Sequence, residues 1–185
     1  MLMRSYPAVR EAAEEAQSVL RQFDGMHLTP VKWLHITTLI TGSTDEISRS
    51  QMNSMLAEAQ RQLRSTSPIP VTIGKILYHP EAIMLRVDPK DALLPILRAA
   101  RVATQSVTGK SGMIIGEASS RVPHVTVSYS TAQQPAGPII SALGKALTPR
   151  TVVVDSMSLV IQWGSERLWD WELVGTVQLG HTGSG

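Results

Sequence analysis

With 185 residues, 43% of them hydrophobic, and a formal charge of +2, the chain is long enough for one well-buried domain or two small lobes and too short for two ordinary independent domains. No Lys/Arg run exceeds two residues, which argues against a strong polyanion binder, and the absence of Cys excludes a disulfide framework, a Cys-based zinc site and a thiol nucleophile. The sequence offers no apolar stretch of signal length and no apolar span of about 18 residues, so a soluble, cytoplasmic protein without membrane contact is expected.

In chain order, apolar residues at 9, 12, 13, 16, 19, 20 and 23 predict a one-sided helix over Val9–Phe23, ended by Asp24-Gly25. Val31–Thr41 reads as a strand. "GSTDEI" then offers a capping box, Ser43 with Glu46, for a second helix whose stripe is Ile47, Met52, Met55, Leu56, Ala59 and Leu63. "PIPVTIGKILYHP" and "EAIMLRVDP" read as two strands joined by a turn at His79-Pro80-Glu81. A third helix is expected from about Asp91 to Val107, with Pro95 in its first turn. After a Gly/Ser-rich stretch come the strand "HVTVSYS", a helix over Pro138–Leu147, and two strands, "TVVVDSMSLVIQW" and "LWDWELVGTVQL". Residues 181–185 read as a flexible tail.

This order repeats: helix, strand with a polar pair, helix, strand, strand. Superposing "WLHITTLITG" on "VPHVTVSYST" brings the elements on either side into the same order, so an internal duplication with halves of about 1–88 and 89–180 is expected within one domain over 1–180. Residues two apart on a strand share a face, with backbones roughly 6.5–7 Å apart. His35 with Thr37, and His124 with Thr126, are then presented as pairs. If the halves pack about a pseudo-twofold axis, both pairs face one cleft. That arrangement suits a phosphodiester: one imidazole takes a proton from the attacking hydroxyl or water, and the other gives one to the leaving oxygen. The two threonine hydroxyls would hold the non-bridging oxygens.

"LHITTL" and "PHVTVS", 89 positions apart, resemble the paired His-x-Thr signatures of the two-histidine phosphoesterase superfamily, in particular its RNA 2′,3′-cyclic phosphodiesterase and 2′-5′ RNA ligase-like branch. The resemblance covers nearly the whole chain. It implies an α+β, bilobal fold with two antiparallel sheets lining a central cleft and helices outside. It also implies metal-independent chemistry, with His35 and His124 as the acid/base pair and Thr37 and Thr126 on the phosphate. Many members of that branch carry an aromatic residue five after the first His and an arginine five after the second; here those positions are Ile40 and Tyr129. Tyr129 is a further candidate for substrate binding, although its odd offset from His124 turns it to the other face of a regular strand.

Other residues are given structural readings. "HLT" at 27–29 repeats the pattern but precedes Pro30 in an expected loop, so His27 is read as a chance match. His79 reads as a turn histidine, and Lys32 and Arg121, at odd offsets, as solvated cations. Trp163, Trp169 and Trp171 flank the last hairpin as core packing or a lid. No Asp/Glu cluster stands near either histidine, and no GxGxxG, P-loop or GxSxG occurs, so neither metal nor cofactor is expected. The expected function is opening of 2′,3′-cyclic phosphates on RNA ends or small nucleotides. A 2′-5′ ligase-type activity and a non-catalytic nucleotide- or RNA-binding protein are the alternatives. The sequence is consistent with a monomer and carries nothing on oligomeric state.

Overall fold

Small residues let the first helix lie close against a sheet. In the computed structural model, which describes residues 1–114, 122–164 and 170–180, α1 (Pro7–Leu20) buries Val9, Ala12, Ala13, Ala16 and Leu20 completely. The sheet beneath it is antiparallel and five-stranded, in the order β1-β4-β3-β2-β5. Its strands are β1 (Met26–Leu28), β2 (Ile69–His79), β3 (Ala82–Asp88), β4 (His124–Ser130) and β5 (Ala146–Val154). The α1 side carries Ile73, Ile83, Leu85, Val87, Val125 and Val127, all 5% exposed or less. A second, two-stranded antiparallel sheet joins β6 (Ser156–Trp163) to β7 (Asp170–Gln178). The architecture is the expected α+β one, with two antiparallel sheets.

Helices α2 (Arg49–Leu63) and α3 (Leu94–Thr108) pack on each other, and α2 covers β7; α4 (Ala136–Leu143) packs beside α1. Gly175 lets α2 approach, because a Cβ there would stand 2.5 Å from Leu56 Cδ1. The packing units do not follow the chain's halves. The first sheet takes β1–β3 from before residue 89 and β4 and β5 from after it, while the second-half hairpin β6–β7 is covered by first-half α2.

Several boundaries differ from expectation for identifiable reasons. The capping box belongs to Ser48 and Gln51, which exchange N–H bonds of 3.3 and 2.9 Å, so α2 begins after Ser48. Ser43 instead closes a turn, accepting from the Glu46 and Ile47 amides. The expected single strand 151–163 is two strands in different sheets. The chain changes sheet at Asp155, where Tyr6 Oη donates to the carboxylate at 2.6 Å and Leu179 N–H to the carbonyl at 2.7 Å. Residues 146 and 147, expected in a helix, begin β5 because Gly144 has already ended α4. His27 lies in β1, paired with Tyr129, and not in a loop. The tail at 181–185 lies outside the described residues.

The ladder between β3 and β4 is interrupted once. The strands pair Arg86↔His124, Leu85↔Val125 and Met84↔Thr126, but then Ile83↔Ser128 and Ala82↔Tyr129, so β4 carries one extra residue, Val127, a β-bulge. The bulge is pinned from α1: buried Gln17 donates through Nε2 to Val127 O at 2.9 Å and to Thr29 O at 2.7 Å. Replacing Gln17 with Leu strips a donor from two buried carbonyls. We expect a loss of about 1–3 kcal/mol in urea unfolding, with unchanged m.

Candidate active site between two tethered histidines

Among the described residues, the run from Leu34 to Thr41 belongs to no named strand. Residues 31–33 form a single 3₁₀ turn, and among the described residues the segment beyond it carries isolated bridges at Leu2↔His35 and Ile40↔Met113. Its backbone is satisfied by Met1 and Met3, through Ile36 N–H to Met1 O and Met3 N–H to Leu34 O, and by a reciprocal pair between Ile40 and Met113. The alternation nevertheless survives. Leu34 and Ile36 are 0 and 2% exposed, and His35 and Thr37 alternate with them, half-buried.

Both imidazoles are held in the same way. His35 Nδ1 lies 2.7 Å from Trp33 O, and His124 Nδ1 lies 2.9 Å from Val122 O, in each case the carbonyl two residues back. A carbonyl only accepts, so each Nδ1 carries the proton. In the neutral ring this leaves the Nε2 lone pair as the reactive site. The two rings are in electrostatic contact, since charge on His124 disfavours charge on His35. Chain proximity agrees, because Pro123, next to His124, shares a small cavity with Thr37 and Thr38.

Their surroundings differ. His35 sits edge-on to Trp171, with ring centroids 4.8 Å apart and planes at 89°, and Trp171 meets Trp33 edge-on at 5.2 Å. Burial in this aromatic corner pushes the His35 pKa down from 6.5 to about 4; the bond to Trp33 O opposes that shift, and the amino-terminal ammonium and His124 add to it. His35 is therefore neutral through the physiological range. A cavity of about 390 Å³ opens beside it, lined by Thr37, Ser43, Met52, Thr104, Met157 and Trp171 among others, a size suited to a small ligand.

The face of the five-stranded sheet turned away from α1 carries His124 and Thr126, the latter 9% exposed. Tyr129 was expected on the other face, and the Val127 bulge corrects this. The extra residue restores the parity, so Tyr129, opposite Ala82, shares the face of His124 and Thr126. Arg86 on β3 lies directly across from His124 and was not singled out in the sequence; cross-strand register leaves no local signal.

The remaining candidates fall into structural roles. His79 Nδ1 accepts the Glu81 N–H at 3.2 Å and so closes the β2–β3 turn. Lys32 lies over the Trp33 ring at 4.7 Å. Trp163 is 51% exposed at the end of β6, whereas Trp171 belongs to the His35 corner; Trp169 and Arg121 lie outside the described residues. Among the described residues no group of three or more His, Asp or Glu is placed to hold a metal ion, and no helix is long and apolar enough to cross a membrane.

A family model described as the 2′-5′ RNA ligase superfamily matches residues 6–166. Among solved structures, the chain is similar to TT0787 of Thermus thermophilus at 21% identity and a TM-score of 0.71, over 92% of this chain and 91% of that one. E. coli LigT complexed with ATP is 14% identical with a TM-score of 0.66, over 95% and 93% of the two chains. E. coli LigT complexed with 3′-AMP is 15% identical with a TM-score of 0.62, over 92% of each. No curated protein matches the chain in sequence.

The sign of the His35 shift sets a measurable consequence. Between pH 6.5 and about 4 the unfolded chain takes up a proton that the folded chain refuses at this site. Above that window His35 leaves stability unchanged; as pH falls through it, the folded state loses stability, and below it the loss is complete. Two-dimensional ¹⁵N spectra of the imidazoles should show His35 as the Nδ1–H tautomer at neutral pH, with its titration midpoint near 4.

Proposed function

Since the chain belongs to the 2′-5′ RNA ligase superfamily, we propose that it is a phosphoesterase of the two-histidine type that opens 2′,3′-cyclic phosphates of RNA ends or small nucleotides, with His35 and His124 as the acid/base pair. The observation that carries this reading is the matched tether of the two imidazoles, Nδ1 to the carbonyl two residues back, with charge on His124 disfavouring charge on His35. The tether suits both roles. A neutral ring keeps its Nε2 lone pair for a proton, and a charged ring offers its Nε2–H while Nδ1–H stays bonded.

Burial supports His35 as the base. His35, held neutral, takes a proton from water through Nε2 as the water oxygen bonds to phosphorus. His124, entering as the imidazolium, gives its Nε2 proton to the ribose oxygen whose bond to phosphorus breaks. A phosphate monoester and a free hydroxyl result, and solvent returns the proton from His35 to His124. Thr37 and Thr126 donate to the non-bridging oxygens, and Tyr129, on the His124 face, contacts the nucleoside portion. The cavity beside His35 has room for that portion. With the 5′-hydroxyl of a second strand in place of water, His35 takes the hydroxyl proton as its oxygen bonds to phosphorus and His124 protonates the departing 3′-oxygen, which leaves a 2′-5′ linkage, a second reading favoured by the family description.

His35→Ala and His124→Ala should each lower kcat on adenosine 2′,3′-cyclic phosphate by roughly 10²–10⁴ without loss of fold, and EDTA should change nothing. The acid limb of kcat/KM, which reports the free enzyme, should lie near pH 4. Full activity in either variant, or an EDTA-sensitive rate restored by a divalent ion, contradicts the reading.

Net charge bounds the substrate. At +2 the chain has little to gain from a long backbone, so recognition is confined to the reacting phosphate and one or two adjoining nucleotides. The salt slope should correspond to roughly one to three phosphates at about −0.7 each, and efficiency should stop rising by about a trinucleotide. Rates on cyclic-phosphate oligonucleotides of increasing length, at several salt concentrations, measure both.

A further inference from the structure

We propose that Arg86 is a third phosphate-binding group of this site, a guanidinium presented beside His124 by strand register and oriented by Asp88. Arg86 and His124 are direct cross-strand partners. The flanking bond, Val87 N–H to Pro123 O at 2.9 Å, marks 87/123 as the hydrogen-bonded pair. The 86/124 pair is then of the non-hydrogen-bonded kind, in which Cα atoms come within about 4.5 Å and side chains are closest. On that face Arg86 is a partly covered cation, 32% exposed, and its Nε lies 2.8 Å from Asp88 Oδ1, an ion pair without the alignment of a hydrogen bond. Lys75 Nζ reaches the other carboxylate oxygen, Oδ2, at 3.4 Å.

The contact of this pairing lies on the Nε side of the guanidinium. Among the described residues, neither terminal nitrogen of Arg86 has an acceptor, which leaves two nitrogens to offer a phosphoryl group the paired N–H contacts that suit it. Counting Lys75 and Arg86 against Asp88, this cluster keeps one net positive charge. A group that binds the anion beside the proton donor stabilises charge building on the non-bridging oxygens as the ribose oxygen leaves. The proposal rests on the phosphodiesterase reading for its chemistry, yet phosphate binding is measurable without turnover.

The test uses 3′-AMP titrated calorimetrically into the intact protein, alongside turnover of adenosine 2′,3′-cyclic phosphate. Arg86→Gln should weaken 3′-AMP binding about ten- to hundredfold and lower kcat/KM by at least as much, whereas Arg86→Lys, which keeps the charge and loses the fork, should fall between it and the parent. Asp88→Asn should weaken binding in the parent and add little in the Arg86→Gln background, the coupling expected of a positioning residue. Urea midpoints of Arg86→Lys near the parent's separate this from a folding defect. Unchanged 3′-AMP affinity in both Arg86 variants overturns the proposal even if His124→Ala is inactive. Weakened binding together with fully active His35→Ala and His124→Ala upholds Arg86 as the phosphate site and overturns the catalytic reading instead.

Discussion

The register between β3 and β4 is the constraint on which the rest of the cleft depends. β3 comes from the first part of the chain and β4 from the second, and their pairing joins β1 and β4 to β3, β2 and β5 in one sheet. It seats Val125 and Val127 in the core beneath α1 and, on the opposite face, sets His124 against Arg86 and Thr126 against Met84. A slip of one residue would exchange those faces and bury an imidazole where the core needs a valine. The bulge at Val127 is such a slip, confined to a single position and stabilised by Gln17, and it puts Tyr129 where an unbroken strand would not.

The two histidines show how matched local geometry can sit in unequal surroundings. Each imidazole is tied by Nδ1 to the carbonyl two residues back. What distinguishes them is the medium. His35 stands in a corner made by Trp33 and Trp171, where water that would solvate an imidazolium is displaced. His124 opens a strand, with a guanidinium and a carboxylate close by on β3. Desolvation outweighs the favourable carbonyl contact at His35, and the ring's preference for the neutral form follows from that balance rather than from sequence position.

Much of the fold was legible because burial imposes periods on the chain. β4 was read over its full length, and α1 to α3 were recovered with ends shifted by a few residues, since alternation and the 3.6-residue stripe survive in any packing. The capping box at Ser43 misled because the same residue types cap a turn as readily as a helix, and here Ser48 with Gln51 does the capping. The split of 151–163 at Asp155 was hidden for a different reason. A strand that leaves one sheet for another keeps its β-rich composition across the junction, and only the bonds from Tyr6 and Leu179 reveal the change.

By itself the sequence determined the elements, the two His-x-Thr pairs and the resemblance they carry, because each is written in residues that are neighbours along the chain. Tertiary structure decided what stands beside each pair. It set Arg86 across from His124, turned Tyr129 onto the same face through an inserted residue, and brought Trp171, 136 positions away, edge-on to His35. The physical reason is that register and desolvation are properties of pairs of segments. A strand's own residues state which side is apolar, but which partner it meets, in what register and how dry the resulting corner becomes are settled only when distant segments pack together.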